Sequence, residues 1–351
     1  MKAIIFEDVI KKISSAKESD IYGFKNNETI FICSHDEKSS LKKIGVYSNK
    51  PKENEEGLWL TIKDGKPECF IGSENIPCEV INYKTDFQKR NHGIIDPSVL
   101  QERTVTIIGL GSGGSAIALD LARAGVEKFI LIEHDTVELS NICRSAYDLA
   151  DIGKKKTDAL LEKMLRINPF LKVDVYSNNL FDIEKNTLQK IIDESDLIID
   201  ATDSVKTKQL INGIAYHEKP VIYPAVYSEG IGGDILFTIP GLTPCYECVF
   251  SQIIPQMQEL RRSEWDYATG TTKPMSSLIS DIQVVVARTV KLALAILTAD
   301  QPNSFIEKIT EQDCSILFIS NQKGTFFEDD TFSEFWGKTE INPHCSCQTL
   351  K

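Results

Sequence analysis

No run of about 18 apolar residues occurs anywhere in the chain, so a membrane-spanning helix is not expected. A secretory leader is missing too, because Glu7 and Asp8 interrupt the apolar residues after Met1 and no basic segment precedes them. A cytoplasmic protein is expected. Concentrated positive charge is likewise absent: 39 Lys and Arg stand against 51 Asp and Glu, a formal net charge of −12. Neither a nucleic-acid backbone nor an anionic membrane surface is therefore an expected partner. Internal repeats and low-complexity segments are also lacking. What remains is an ordinary globular composition, with 351 residues and 42% hydrophobic content, enough for two domains with a sizeable core.

The texture changes at about residue 85, which implies a small α+β domain over 1–85 and a larger α/β domain over 86–351. In the first part Val9, Ile10 and Ile13 fit a short helix within Glu7 to Lys17. Strand-like runs follow at Glu28 to Cys33, Lys43 to Tyr47, Gly57 to Ile62 and Pro77 to Ile81, separated by polar turns. Ser48 to Glu56 reads as a solvated loop, and Cys33, Cys69 and Cys78 as buried structural thiols.

The second part alternates strands and helices. Strands are expected at Thr104 to Ile108, Lys128 to Ile132, Lys172 to Tyr176, Leu197 to Ile199 and Pro220 to Pro224. Helices are expected near Ser115 to Ala124, Lys155 to Ile167, Ile183 to Asp193 and Val205 to His217. Such alternation predicts a Rossmann-like, doubly wound, mostly parallel sheet covered on both faces.

Gly109, Gly111 and Gly114 form a GxGxxG between the first of these strands and the helix after it, where the backbone must turn tightly and approach a phosphate. Glu133 ends the next strand, a place from which an acidic side chain can accept hydrogen bonds from ribose hydroxyls. The glycines alone suit a dinucleotide or ATP. Arg144 follows the acid by eleven positions, and Lys154, Lys155 and Lys156 follow Gly153; cations there meet phosphates rather than a nicotinamide. The run Asp200, Ala201, Thr202, Asp203 lies at the carboxyl edge of the sheet, where a carboxylate can hold Mg²⁺ together with nucleotide phosphates.

The ordered segments IIGLGSGGSA, IEHDTVELSNICR, DIGKKKTDALL and DATDS resemble the successive motifs of the MoeB/ThiF and ubiquitin-activating family of adenylyltransferases over about residues 86–351. The resemblance implies a homodimer that uses ATP and Mg²⁺ to activate the C-terminal carboxylate of a ubiquitin-like protein. It puts Glu133 on the ribose, where Asp is more usual, and Asn141 and Arg144 in the phosphate pocket. It also gives Lys156 a phosphate contact, makes Asp203 the metal ligand and matches Asp135 to a further acidic position. Lys154 and Lys155 are expected at the solvent surface. Arg90, in KRNHGIID, matches an arginine that reaches into the partner subunit's site, while Arg103 reads as a surface residue.

Cys245 and Cys248 form CxxC, and Cys345 and Cys347 form CxC; together they offer four soft ligands for a tetrahedral structural Zn²⁺ that staples the C-terminal tail to the sheet domain. The family carries CxxC in both places, so the CxC is a departure that admits His344 as a substitute ligand. Relatives that transfer the activated protein to a thiol usually carry the cysteine after the first zinc pair, but Val249 to Ser280 contains none. That polar segment, with Arg261, Arg262, Glu264, Thr269, Gly270, Thr271 and Thr272, is expected to cross the substrate's tail. Cys143 and Cys314 are expected to be inert. Adenylation without a thioester in the usual loop follows, with a conjugating enzyme or a sulfur donor downstream. Besides a catalytically silent scaffold that keeps the fold for dimerisation, two alternatives stand beside this reading. Enzymes that adenylate the microcin peptide also join a small N-terminal domain to such a core, so a peptide C-terminus is one. An NAD-dependent oxidoreductase, resting on the glycine loop alone, is the other.

Overall fold

The structure, a computed structural model, describes residues 1–35, 41–50, 57–91, 93–252, 276–301, 314–323 and 331–348. The expected loop at Ser48 to Glu56 lies partly outside them, and the arginine- and threonine-bearing segment Arg261 to Thr272 wholly so. Two compact units are present: Met1–Pro97 with Met164–Leu171, and Ser98–Lys163 with Lys172–Lys351.

The first unit is an eight-stranded mixed sheet. Its strands are β1 (Lys2–Phe6), β2 (Glu18–Lys25), β3 (Thr29–Ser34), β4 (Lys42–Ser48), β5 (Leu58–Lys63), β6 (Lys66–Ile71), β7 (Glu74–Ile76) and β8 (Cys78–Ile81), ordered β7-β6-β5-β4-β2-β3-β1-β8. Strand β1 pairs in parallel with both β3 and β8. Helix α1 (Glu7–Ile13) buries Val9 and Ile13 and stops well before the expected Lys17, since Ser14, Ser15 and Ala16 offer no further large apolar residue for that face. Helix α2 (Tyr83–Phe87) carries Tyr83, which stacks on Phe6 at 5.1 Å and packs on Phe170 at 5.4 Å.

The second unit contains the Rossmann-like sheet. Its strands are β9 (Thr104–Ile108), β10 (Lys128–Ile132), β11 (Lys172–Tyr176), β12 (Leu197–Asp200), β13 (Val221–Val226), β14 (Gly232–Thr238), β15 (Cys314–Ser320) and β16 (Ser333–Lys338). They are ordered β11-β10-β9-β12-β13-β14-β15-β16. The first five are mutually parallel and the last three add antiparallel pairs. Helices α3 (Pro97–Glu102), α4 (Ser112–Ala124), α5 (Lys156–Ile167), α6 (Lys185–Glu194), α7 (Val205–Ala215) and α8 (Ile279–Leu297) complete the element order; the final turn of α5 belongs to the first unit.

On one face Ile130 and Ile132 share a core with Ile191 and Ile192 of α6 and Ile211 of α7. Phe129 and Leu131, whose side chains alternate to the other face, are equally buried, and there α8 packs along α4 and over β13 and β14. The chain runs from β9 outward to β11 and then returns to β12 on the other side of β9. That reversal opens a crevice at the carboxyl ends of β9 and β12, the place where open α/β sheets bind ligands. Among the described residues, no helix is long and apolar enough to cross a membrane.

Candidate active site

The glycine loop sits in that crevice. Gly109 has φ +84°, and a Cβ there would lie 2.8 Å from Thr202 Cγ2, so only glycine lets the loop pass beneath the turn after β12. A Cβ at Gly114 would run into the Gly109 carbonyl, which fixes α4 tightly against the loop. Gly111, the N-cap of α4, differs: a Cβ there meets nothing within 4 Å. The first α-helical bond runs from Ser115 N–H to the Gly111 carbonyl at 3.1 Å. The amides of Ser112, Gly113 and Gly114 therefore have no partner within the helix, and they meet an uncrowded face suited to a phosphate.

Side chains hold both polar groups of Leu110. Its N–H donates to Glu133 Oε2 at 3.0 Å, and its carbonyl accepts from the Tyr147 hydroxyl at 2.7 Å. Glu133 Oε1 accepts from the amides of His134 at 2.8 Å and Asp135 at 3.1 Å. A carboxylate has about four lone-pair sites, so this buried group still has capacity toward a ribose. Tyr147 also reaches the Lys156 carbonyl at 3.4 Å, and burial, then the Glu133 and Asp151 charges, push its phenol well above the ordinary range. Nothing in the sequence marks Tyr147 as part of this arrangement; the pairing spans 37 residues.

Lys156 opens α5 with its side chain nearly buried, and Nζ donates to Asp135 Oδ2 at 2.9 Å. Burial works to raise the Asp135 carboxyl, but the hydrogen bond and charge of Lys156, with His134 and Lys155, outweigh it and hold the group below the usual carboxylate range. His134, which sequence reading passed over, lies between two acids, with Nδ1 3.3 Å from Glu133 Oε1 and Nε2 3.4 Å from Asp135 Oδ1. Lys155 is exposed, as expected, and donates to the His134 carbonyl at 2.8 Å. Lys154 departs from expectation: it is half-buried, paired with Glu162 at 2.9 Å and with Asp151 at 3.4 Å.

Asn141 ends a short 3-10 turn, Leu139–Asn141, where its Oδ1 accepts from Glu138 N–H at 3.0 Å and its amide nitrogen remains a donor, and Arg144 follows three residues later. Ser145 Oγ donates to the Asn141 carbonyl, and Ser115 Oγ of α4 accepts from Ala146 N–H, which ties this turn to the glycine loop's helix. Arg144 is half-buried and Asp203 is exposed at the carboxyl edge. Asp200 differs from Asp203 in being fully buried. An exposed carboxylate at the carboxyl edge of the sheet is a donor of the kind Mg²⁺ takes alongside waters and phosphate oxygens. Arg90 is exposed and belongs to the first unit. Arg103 pairs with Asp196 and Asp300.

The four C-terminal-pair sulfurs converge. Cys245 Sγ lies 3.6 Å from Cys345 Sγ and Cys248 Sγ 3.7 Å from Cys347 Sγ, and all four atoms fall within 4.8 Å of one another. A tetrahedron with Zn–S bonds of about 2.3 Å has sulfur–sulfur edges of about 3.8 Å, so the cluster has the size zinc requires. Amides of Cys248 and Asn342 donate to its sulfurs at 3.4 and 3.3 Å. His344 is exposed and outside the cluster. Of the remaining thiols, Cys314 is buried within β15, Cys143 is exposed, and burial pushes Cys33 up to about 12.

The sequence profile described as the ThiF family matches residues 91–347. The ubiquitin-like modifier-activating enzyme 5 of Caenorhabditis elegans is 28% identical over 68% of this chain and 61% of its own length. The molybdopterin-synthase adenylyltransferase of Escherichia coli is 30% identical over 49% of this chain and 68% of its own. The chain thus spans about three fifths of that first relative, whose match covers 61% of it. Among solved structures, Escherichia coli MccB with AMPCPP and MccA has a TM-score of 0.56 at 20% identity, covering 75% of this chain and 74% of that one. PaaA reaches 0.58 at 20% identity over 74% of this chain and 84% of its own. These two share the fold.

Proposed function

Because the chain belongs to the ThiF family, we propose that it adenylates the C-terminal carboxylate of a ubiquitin-like protein, using ATP and Mg²⁺, to activate it for conjugation or sulfur transfer. The observation that carries this reading is the way Glu133 and Asp135 join two loops: one carboxylate bonds the glycine loop at Leu110 and the other holds the nearly buried Lys156 ammonium. Nucleotide phosphates at the start of α4 would then meet the amides of 112–114, with Lys156 and Arg144 as the neighbouring cations and Asn141 as a further donor. Mg²⁺ on Asp203 would supply charge neutralisation on the phosphates.

The substrate carboxylate is ionised at neutral pH, with an ordinary pKa of about 3.5, so no general base is needed. Its oxygen bonds to the α-phosphorus as the bond from that phosphorus to the β-bridging oxygen breaks, and pyrophosphate leaves with the electron pair. The chain's part is alignment and charge stabilisation. The protein is proposed to be a homodimer in which Arg90 enters the partner subunit's site, and the Cys245, Cys248, Cys345, Cys347 cluster to hold a structural Zn²⁺. With no cysteine in Val249 to Ser280, the acyl adenylate is passed on without a thioester in that segment.

A peptide C-terminus is the second reading, supported by the eight-stranded unit that precedes the Rossmann-like sheet. ATP–pyrophosphate exchange measured with candidate proteins and peptides ending in a free carboxylate tests both. Exchange is expected with one of these classes and is expected to vanish in D203A with the fold retained. Tight NADH binding with no exchange on any carboxylate would instead favour the oxidoreductase.

A further inference from the structure

Asp200 ends β12 fully buried, three residues ahead of Asp203. Its Oδ1 accepts from both the N–H of Thr202 at 3.0 Å and the Thr202 hydroxyl at 2.6 Å. Lys208, buried on α7, donates from Nζ to the Asp200 carbonyl at 3.0 Å, lies 3.8 Å from Oδ1 and stands 5.8 Å from the Tyr223 ring centroid. Oδ2 has no hydrogen-bond partner among the described residues. The side chain's bonding to the chain is therefore spent on the turn, with Lys208 beneath it. That same turn packs on the phosphate loop: Ala201 N–H donates to the Ile108 carbonyl at 2.9 Å, and Thr202 is the residue that excludes a Cβ at Gly109.

A buried ion pair is a poor source of stability, because well-packed apolar residues in its place are often neutral or stabilising. Placing one directly under the carboxyl edge of the sheet calls for another explanation, and the bonds give it. We propose that Asp200, Thr202 and Lys208 form a positioning unit that sets the Ala201–Asp203 turn, so that Asp203 presents its carboxylate to the nucleotide-bound cation at a fixed height above the glycine loop. This rests on the reading that Asp203 takes the metal. In this proposal the three act through Asp203 rather than on the nucleotide.

The test is binding of Mn²⁺, followed by its electron paramagnetic resonance signal, to the full chain saturated with adenosine α,β-methylene triphosphate. T202V keeps the turn's shape and removes only the hydroxyl; K208M removes the buried cation. Each is expected to weaken Mn²⁺ binding at least ~10-fold, the scale of lost supporting contacts at metal sites. Analogue affinity in EDTA is expected to stay within about 2-fold, since those variants leave the phosphate contacts in place. T202S and K208R, which restore the donor, are expected to bind Mn²⁺ like the native chain. Native Mn²⁺ affinity in T202V overturns the proposal, whether or not K208M folds. D203A separates the two levels: loss of Mn²⁺ there with none in T202V sinks the positioning unit alone, whereas native affinity in D203A sinks the metal reading and the unit with it.

Discussion

At the scale of single residues, the proposed phosphate site rests on one ammonium held against one carboxylate. Lys156 is nearly buried while Asp135 keeps a half-exposed side chain, so their pair is partly screened and its contribution to stability stays within about 1 kcal/mol. The sign of its pH dependence follows from the lowered Asp135 carboxyl. A depressed folded-state pKa gives stability that is fully present above the unfolded value near 4 and is lost as pH falls through the lower folded value. Urea unfolding of the native chain and D135N should therefore differ by a constant amount from pH 8 to about 5, with the gap closing only below about pH 4. A gap that closes near neutrality would show that Asp135 is not the group concerned. K156M should cost about 10²- to 10³-fold in the pyrophosphate exchange rate, the scale seen when one preorganised charge-stabilising donor is removed.

At the scale of elements, the three glycines of one loop separate packing from binding. Gly114→Ala drives a Cβ into the Gly109 carbonyl and should cost about 1–3 kcal/mol, read as a lower unfolding midpoint. Gly111→Ala places its methyl in open space and should leave the midpoint within about 0.5 kcal/mol while weakening ATP binding, because the methyl occupies the face the phosphate needs. Equal loss of stability in both variants would contradict this division. The same loop shows what is legible in a sequence. Strands β9, β10 and β11 coincide with the expected Thr104 to Ile108, Lys128 to Ile132 and Lys172 to Tyr176, because short β-branched apolar runs lie there between turns. The β14–β16 strands and α8 gave no comparable alternation with helices, and β14 opens on Gly232 and Gly233, whose bare backbones face Ile319 and Ala225 carbonyls. Glu133, Lys156 and the glycines announce themselves by spacing. Tyr147 and Lys208 do not, since each acts through a backbone carbonyl that only the folded chain brings near.

At the scale of the whole molecule, the proposed zinc joins positions about a hundred residues apart, Cys245 with Cys345 and Cys248 with Cys347. Binding free energy at such a site is in part folding free energy. Purified protein should contain one zinc per chain, and C347S should lose it and lower Tm by about 4–8 °C, the shift expected for roughly 2 kcal/mol in a unit of this size. H344A should do neither, since its imidazole is outside the cluster. The proposed dimer has a sharper test. If Arg90 completes the partner subunit's site, R90A and D203A are each inactive alone, yet a heterodimer of the two has one site lacking both side chains and one lacking neither. Unfolding and refolding an equimolar mixture gives half heterodimers by symmetry, so exchange should return to about a quarter of the native rate. No recovery, in a mixture shown by mass to contain heterodimers, would place Arg90 in its own chain's site or outside the reaction altogether.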